Sequence, residues 1–390
     1  MNSGPDALRS LLAASQYARP EDLARSLMEV APLVGATELV IHLVDYQQTH
    51  LMPFSGGGVP PRESTPIDGT VPGRAFSTLA TVETGQDGAR HLWIPLLDGT
   101  ERLGVLEVVA KEGLHDEQRH ACVEVAALAG ELVAAKQKYG DTVELTRRRM
   151  PMLLAAEIVW SLLPPLTFST PRCVVTGILE PCYEVGGDVF DYAIDGNLAR
   201  VAMFDAMGHG ATASLLSTIT VSAYRNARRC GLDIVDTYRS MDKWIRAEYQ
   251  DVFVTAILAE LDLHSGALRI INAGHPAPLL LRDRRLVKAL TEATALPLGL
   301  DDGNPDVVTE TLQPGDRVLV YTDGVIDARS LVGDFFGLDR LVDFVVRANA
   351  DGLPAPETMR RLIQAILRHQ HENLQDDASA LMLEWRGGPE

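Results

Sequence analysis

Apolar residues recur with helical spacing over positions 6–14 and 21–33, then alternate over 37–46 as they do in a half-buried strand. Pro20, with Glu21 and Asp22 behind it, suits the first turn of the second helix. A glycine-rich loop follows at 55–61. Two further apolar runs, 91–97 and 102–110, flank an Asp98-Gly99 turn and predict a hairpin. A periodic stretch from about 115 to 138 predicts a closing helix. Helices framing an antiparallel sheet make residues 1–135 an α+β domain.

Residues 136–165 read as a helical linker. Arg147, Arg148 and Arg149 precede Pro151, and the apolar-rich stretch 152–163 follows it, so two helices broken at the proline are expected. The apolar stripe suits packing on the next domain; a dimer seam or a signal-relaying helix is the other reading. Beyond 166 the pattern turns to many short strands, at 173–179, 189–194, 198–204, 252–261, 268–273, 277–281, 317–321 and 379–385. Helical spacing returns at 211–229, 234–249, 339–347 and 355–371. Hairpin strands with helices bunched between them predict antiparallel sheets covered by helices. No internal repeat or low-complexity tract interrupts this pattern.

Composition narrows the function classes. The 390 residues include 53 acidic and 35 basic side chains, a formal net charge of −18. Such a chain offers no basic face to duplex phosphates, so no nucleic-acid partner is expected. Splitting at residue 150 gives 20 acids and 14 bases before, 33 and 21 after, so most of the excess lies in the second half. Cys122, Cys173, Cys182 and Cys230 show no CxxC spacing and are too scattered for a disulfide framework. No signal-peptide pattern opens the sequence, and the most apolar stretch, 150–166, is short and broken by Glu157 and Pro164-Pro165. A cytoplasmic protein without membrane contact is expected.

The candidate chemistry lies in the carboxylates. Asp195-Gly196-Asn197 is a tight hairpin turn, and folding about Gly196 sets Asp188 opposite Asp205. Two like charges so placed need a cation or a captured proton. Asp323 ends the apolar run at 317–321, with Gly324 behind it, and Asp376-Asp377-Ala378 immediately precedes the run at 379–385. Any one of these acids suits a turn or a cap; four at strand ends predict an oxygen-ligand cluster for hard cations such as Mg²⁺ or Mn²⁺. Asp191, three residues from Asp188, reads as structural or supporting. Gly208-His209-Gly210 lacks the Gly-Lys-Ser/Thr of a phosphate-cradling P-loop. His209 and His275 have the proton-shuttling chemistry of imidazole, but Gly274-His275-Pro276 reads as a turn, and structural roles are expected for both.

The order of motifs carries a resemblance. Gly186-Gly187-Asp188-Val189-Phe190-Asp191, Phe204-Asp205-Ala206-Met207-Gly208-His209-Gly210 and Asn272-Ala273-Gly274-His275-Pro276 come first. Leu296-Pro297-Leu298-Gly299-Leu300, Gly315-Asp316, Tyr321-Thr322-Asp323-Gly324-Val325 and Asp376-Asp377-Ala378 follow. This series resembles the SpoIIE/RsbU-like branch of the PPM (PP2C-type) serine/threonine phosphatases, over about residues 165–387. The first domain resembles a GAF domain over roughly 15–135, on its layout and on Ile94-Pro95-Leu96-Leu97 followed by Gly104-Val105-Leu106.

The resemblance implies an αββα sandwich over residues 166–390, with two Mn²⁺ or Mg²⁺ ions at one edge. Asp205 would bridge both ions, Asp188 and the carbonyl of Ala206 would hold one, and Asp323 and Asp376 the other. Ala206 stands where most relatives have Gly. Asp376 is preferred to Asp377 as the first residue of its motif. The implied activity is direct hydrolysis of a phosphomonoester by activated water, without a phosphoenzyme, and the sequence identifies no arginine to grip the phosphate. The implied substrate is a phosphorylated STAS-domain anti-sigma-factor antagonist in a bacterial partner-switching pathway. The enzyme would be a homodimer regulated by its GAF-like domain. That domain's small-molecule ligand is unknown: Cys122 is poorly placed for a bilin, no haem ligand stands out among His42, His50, His91, His115 and His120, and the Asn-Lys-Phe-Asp-Glu signature for cyclic nucleotides is absent. Two alternatives remain open: an inactive PPM-fold binding module, and a diguanylate cyclase suggested by Gly186-Gly187-Asp188-Val189-Phe190, which lacks that family's fourth-position acid.

Overall fold

A computed structural model describes residues 3–86, 88–180, 183–184, 186–249, 251–283, 285–290, 294–300, 303–371 and 376–388. Cys182 lies outside the described residues. The chain divides into two compact units, Met1–Pro151 and Met152–Glu390.

The first unit contains α1 (Ser3–Ser15), α2 (Asp22–Val30), β1 (Glu38–Val44), β2 (His50–Pro53), β3 (Thr65–Pro66) and α3 (Val71–Thr78). It continues with β4 (Val82–Gln86), β5 (Ala89–Asp98), β6 (Glu101–Ala110), α4 (Asp116–Lys136) and α5 (Thr142–Arg147). The strands form one antiparallel sheet in the order β3-β2-β1-β6-β5-β4. On one face Leu11, Leu27, Ile41, Leu106 and Val125 join α1, α2 and α4 to the sheet. On the other, Val44, Phe76, Trp93 and Val105 form a smaller core beneath α3. This is the helix-framed antiparallel layout expected of a GAF-like domain. The sequence pattern did not predict α3. Eight residues give too few turns for periodicity, and the helix rests on the Thr70 cap and a proline in its first turn. The basic triplet turns back onto this unit: Arg147 donates to the Val44 carbonyl at 3.1 Å and its guanidinium lies 4.5 Å over the Tyr46 ring.

The second unit opens with α6 (Leu154–Leu162), β7 (Thr167–Ser169), β8 (Cys173–Glu180), β9 (Asp188–Asp195), β10 (Leu198–Ala206) and α7 (Gly210–Arg229). Then come α8 (Ile234–Glu248), β11 (Val254–Asp262), β12 (Ala267–Ala273), β13 (Leu279–Arg282), β14 (Arg285–Ala289) and β15 (Val308–Thr311). It closes with β16 (Arg317–Tyr321), α9 (Asp323–Ile326), α10 (Gly337–Ala350), α11 (Ala355–His369) and β17 (Ala378–Trp385). Two sheets result, β15-β12-β11-β10-β9 and β14-β13-β16-β17-β8-β7. Phe190, Met203, Ile257, Val318 and Leu383 fill the space between them. Phe204, Tyr224 and Tyr238 join α7 and α8 to the first sheet, while Leu319, Leu341 and Ile363 join α10 and α11 to the second. Four layers follow, helix on sheet on sheet on helix, which is the predicted αββα sandwich. Covered on both sides, β8 and β17 are buried along their whole length. Helix α6 buries Ala155, Ala156 and Val159, the last two with Leu179 of this same unit. No helix among the described residues is long and apolar enough to cross a membrane.

Candidate metal centre

The site begins with a two-residue turn. Gly196 takes a φ of +58°, a conformation that costs a side-chain-free residue little. The β9/β10 register then runs without a slip from Leu198 against Asp195 to Asp205 against Asp188. The two acids therefore face each other across the open end of the hairpin. Asp188 is only 2% exposed, and Thr322 donates its hydroxyl to Oδ2 at 2.7 Å. Burial, then the charges of Asp205 and Asp377, push the Asp188 pKa well above the usual carboxylate range. Burial and the charges of Asp323, Asp376 and Asp377 raise Asp205 to about 7, against a hydrogen bond from Thr255. Asp323 is raised by burial and by Asp376 and Asp327. It heads the short helix α9 rather than ending a strand, because β16 stops at Tyr321 and Thr322 turns the chain.

Neighbouring acids at the start of β17 have different surroundings. Asp377 Oδ2 accepts the backbone N–H groups of Gly186, Gly187 and Asp188 at 2.9, 2.7 and 3.2 Å. Burial raises its pKa and those three N–H groups work against the rise. This oxygen stitches β17 to the entry of β9. The Asp376 side chain is exposed, and its Oδ1 accepts the N–H of Asp377 at 2.9 Å. Close packing here needs glycine at position 324, where a Cβ would stand 2.0 Å from the Asp377 carbonyl oxygen. Ala206 closes β10, its N–H reaching the Gly187 carbonyl at 3.3 Å. It is not among the residues with positive φ, so a side chain is accommodated there without strain.

Asp191 is engaged elsewhere. It accepts Arg225 at 3.1 and 2.7 Å and Arg228 at 2.9 Å, clamping α7 onto β9. Arg225 also reaches the Leu162 carbonyl at the end of α6. His209 is exposed at the N-cap of α7, and His275 is buried. Sequence reasoning missed the hydroxyls that hold the site. Ser214 and Ser217 on α7 donate to the carbonyls of Gly186 and Gly187, and Thr322 supports Asp188. Their spacing, three apart on one helix face, was the available signal.

The donor set is all oxygen and strongly self-repelling, which fits hard divalent cations. The charges of Asp323 and Asp376 act on Asp205, and the charge of Asp205 acts on Asp188. Among the described residues, no three His, Cys, Asp or Glu side chains close on one point tightly enough to cage an ion alone.

Residues 195–386 match the family model described as Stage II sporulation protein E (SpoIIE). The phosphoserine phosphatase RsbP of Bacillus subtilis (strain 168) is 29% identical over 151 residues, 37% of each chain. Protein IcfG of Synechocystis is 22% identical over 242 residues, 54% of this chain and 38% of that one. The chain thus spans well under half the length of these curated relatives. Among solved structures, the RsbU and RsbW domains of a Mycobacterium tuberculosis protein align with a TM-score of 0.51 at 25% identity, covering 56% of this chain and 63% of the other. The SiaA-PP2C domain of Pseudomonas aeruginosa aligns with a TM-score of 0.50 at 22% identity, covering 65% and 99%.

Proposed function

Because residues 195–386 match the SpoIIE family model, we propose that the chain is a metal-dependent protein serine/threonine phosphatase of the PP2C type. The carrying observation is the register that opposes Asp188 and Asp205, with Asp323 and Asp376 charged against the same carboxylate. In this reading Asp188, Asp205, the Ala206 carbonyl, Asp323 and Asp376 hold two Mn²⁺ or Mg²⁺ ions. When bound, such ions supply Lewis acidity, making water a competent nucleophile near neutral pH and offsetting charge on the phosphoryl oxygens. The protein's own part is placement. Thr322 fixes Asp188, Asp377 and the two serines of α7 fix the Gly186–Gly187 turn, and Asp191 holds α7 in place.

The proposed substrate is a phosphoserine or phosphothreonine on a STAS-domain anti-sigma-factor antagonist in a partner-switching pathway. Support comes from the relatives: one is named a phosphoserine phosphatase, and another is an RsbU domain solved with an RsbW domain. The GAF-like unit is proposed to regulate the rate in a homodimer, in response to a small molecule. The test is dephosphorylation of candidate phospho-STAS proteins from the same genome by the full chain with Mn²⁺, with EDTA, and with Asp205→Asn. Release of phosphate that needs Mn²⁺ and falls at least a hundredfold in the variant is expected. Turnover that survives Asp205→Asn overturns the metal assignment, and no turnover on any phosphoprotein overturns the enzyme.

A further inference from the structure

Asp323 heads α9, and the chain that leaves this one-turn helix builds a small hairpin over residues 328–336. Its two arms are locked together. The Phe336 N–H donates to the Ala328 carbonyl at 2.7 Å, and the Ser330 N–H to the Asp334 carbonyl at 2.9 Å. The Gly333 N–H closes the turn on the Ser330 carbonyl at 2.9 Å, with Gly333 at a φ of +88°. The base is tied down as well. Phe336 is buried in the core beneath α10 and α11. The His369 ring, at the end of α11, stands 3.0 Å from the Asp334 carbonyl and 3.2 Å from the Arg340 guanidinium.

This frame presents apolar side chains to water. Leu331 and Val332 fill the two central turn positions and are 77% and 84% exposed. Phe335, with the Arg329 guanidinium 4.6 Å over its ring, and Leu338 are exposed in part. Turn tips ordinarily carry Gly, Asn, Asp or Ser, and single exposed apolar residues are common. Four within eight positions, on a fixed loop, are not explained by folding, since Leu331 and Val332 keep most of their surface in solvent.

Their location points to what covers them. At about 1.5 Å per helical residue and at most about 3.4 Å per extended one, Leu331 lies no more than about 25 Å along the chain from Asp323. A standard interface of about 800 Å² per partner is a patch about 30 Å across. A protein whose phosphoserine reaches the carboxylate cluster therefore has a footprint that extends to the hairpin. Met207, the residue after Ala206, is exposed at the same cluster. The sequence identifies no arginine to grip the phosphate, so contacts remote from the phosphate must do the orienting. We propose that the 328–336 hairpin is a docking element for the protein substrate: Leu331 and Val332 seat in an apolar surface patch of a folded phosphoprotein, beside its phosphoserine. This deepens the phosphatase reading above and rests on it. A hairpin already held in shape loses little conformational freedom on binding.

The test compares two substrates of the full chain with Mn²⁺, with thermal melts as a folding control. One is p-nitrophenyl phosphate, too small to reach the hairpin. The other is the phospho-STAS protein from the same genome that the chain dephosphorylates fastest. Leu331→Ser combined with Val332→Ser should lower kcat/KM on the phosphoprotein at least about tenfold, through KM. Turnover of the small ester should stay within about twofold, and the Tm unchanged. Leu331→Met combined with Val332→Ile should keep the phosphoprotein rate within about threefold. Should the double serine variant melt early, each single serine variant takes its place. Equal losses on both substrates, or no loss on the phosphoprotein, overturn the docking role. A changed sedimentation coefficient with unaltered KM also overturns it, and makes the tip a contact between copies of this chain. Turnover of the ester but of no phospho-STAS protein overturns the partner. If the natural chain hydrolyses neither substrate, the phosphatase reading itself fails and the docking falls with it.

Discussion

Asp377 takes three backbone N–H groups on one carboxylate oxygen, while Asp376 beside it holds its side chain in solvent. The two should therefore separate by measurement. Asp377→Ala strands those N–H groups at a cost of about 3 kcal/mol, or roughly 10 °C in Tm for a unit of this size. Asp376→Asn should leave the Tm of the metal-free chain within about 0.5 kcal/mol of unchanged yet weaken Mn²⁺ binding. Equal melting losses in the two variants would contradict this division of labour. Asp205 carries a pH signature. Folding raises its pKa to about 7, so the folded chain binds more protons than the unfolded one, and stability falls as pH rises from the ordinary carboxylate range through 7. Melts in EDTA should be lower at pH 8 than at pH 5.5, and saturating Mn²⁺ should remove the difference. The facing pair was legible because turn arithmetic is local. The clamp by Asp377 was not, since its donors lie about 190 positions away and no local pattern marks them.

At the scale of elements, the β9/β10 hairpin and its glycine turn were readable from alternation and from Asp195-Gly196-Asn197, whereas α3 and the one-turn α9 were too short to show periodicity. The start of α9 matters to the site, because it brings Asp323 up against β17. Gly324 permits that approach. Gly324→Ala would set a Cβ against the Asp377 carbonyl, where backbone and not a flexible side chain must yield. A loss of about 1–3 kcal/mol is expected, read as a lower Tm together with weaker Mn²⁺ binding. A variant that melts and binds like the natural sequence would show that α9 moves freely relative to β17. Helix α7 is the second support. Asp191 was expected to be structural, and its two arginine partners give the reason, though their pairing across 34 and 37 residues could not be read from spacing.

For the whole molecule, strand order was the least legible feature. The sequence located most strands of the second unit, but placing β17 between β16 and β8 depends on pairings far apart in the chain. The layers of this unit are closed by its own residues, between the sheets and beneath each helical layer. A fragment of residues 152–390 should accordingly fold alone, melt cooperatively and gain Tm with Mn²⁺. A fragment that stays unfolded with metal would show that the first unit is needed for folding. The acidic excess takes on a narrower meaning. Of the 53 acids, Asp191, Asp377 and many others are matched by arginines or backbone N–H groups, so in the proposed site only a few facing carboxylates would be left for cations.

The place of β17 also bears on how the protein is made. A ribosome delivers Asp188 a full 189 residues ahead of Asp377, and Asp205 soon after Asp188, so both carboxylates of the hairpin are made long before the clamp behind them. Only when β17 slots into the interior of its sheet do the Gly186–Asp188 turn, Asp376 and α9 come into register. An unfinished polypeptide, or one released before position 376, carries the hairpin but cannot complete the cluster. In the proposed metal site, every ligand-bearing element is therefore in place only once β17 has been made.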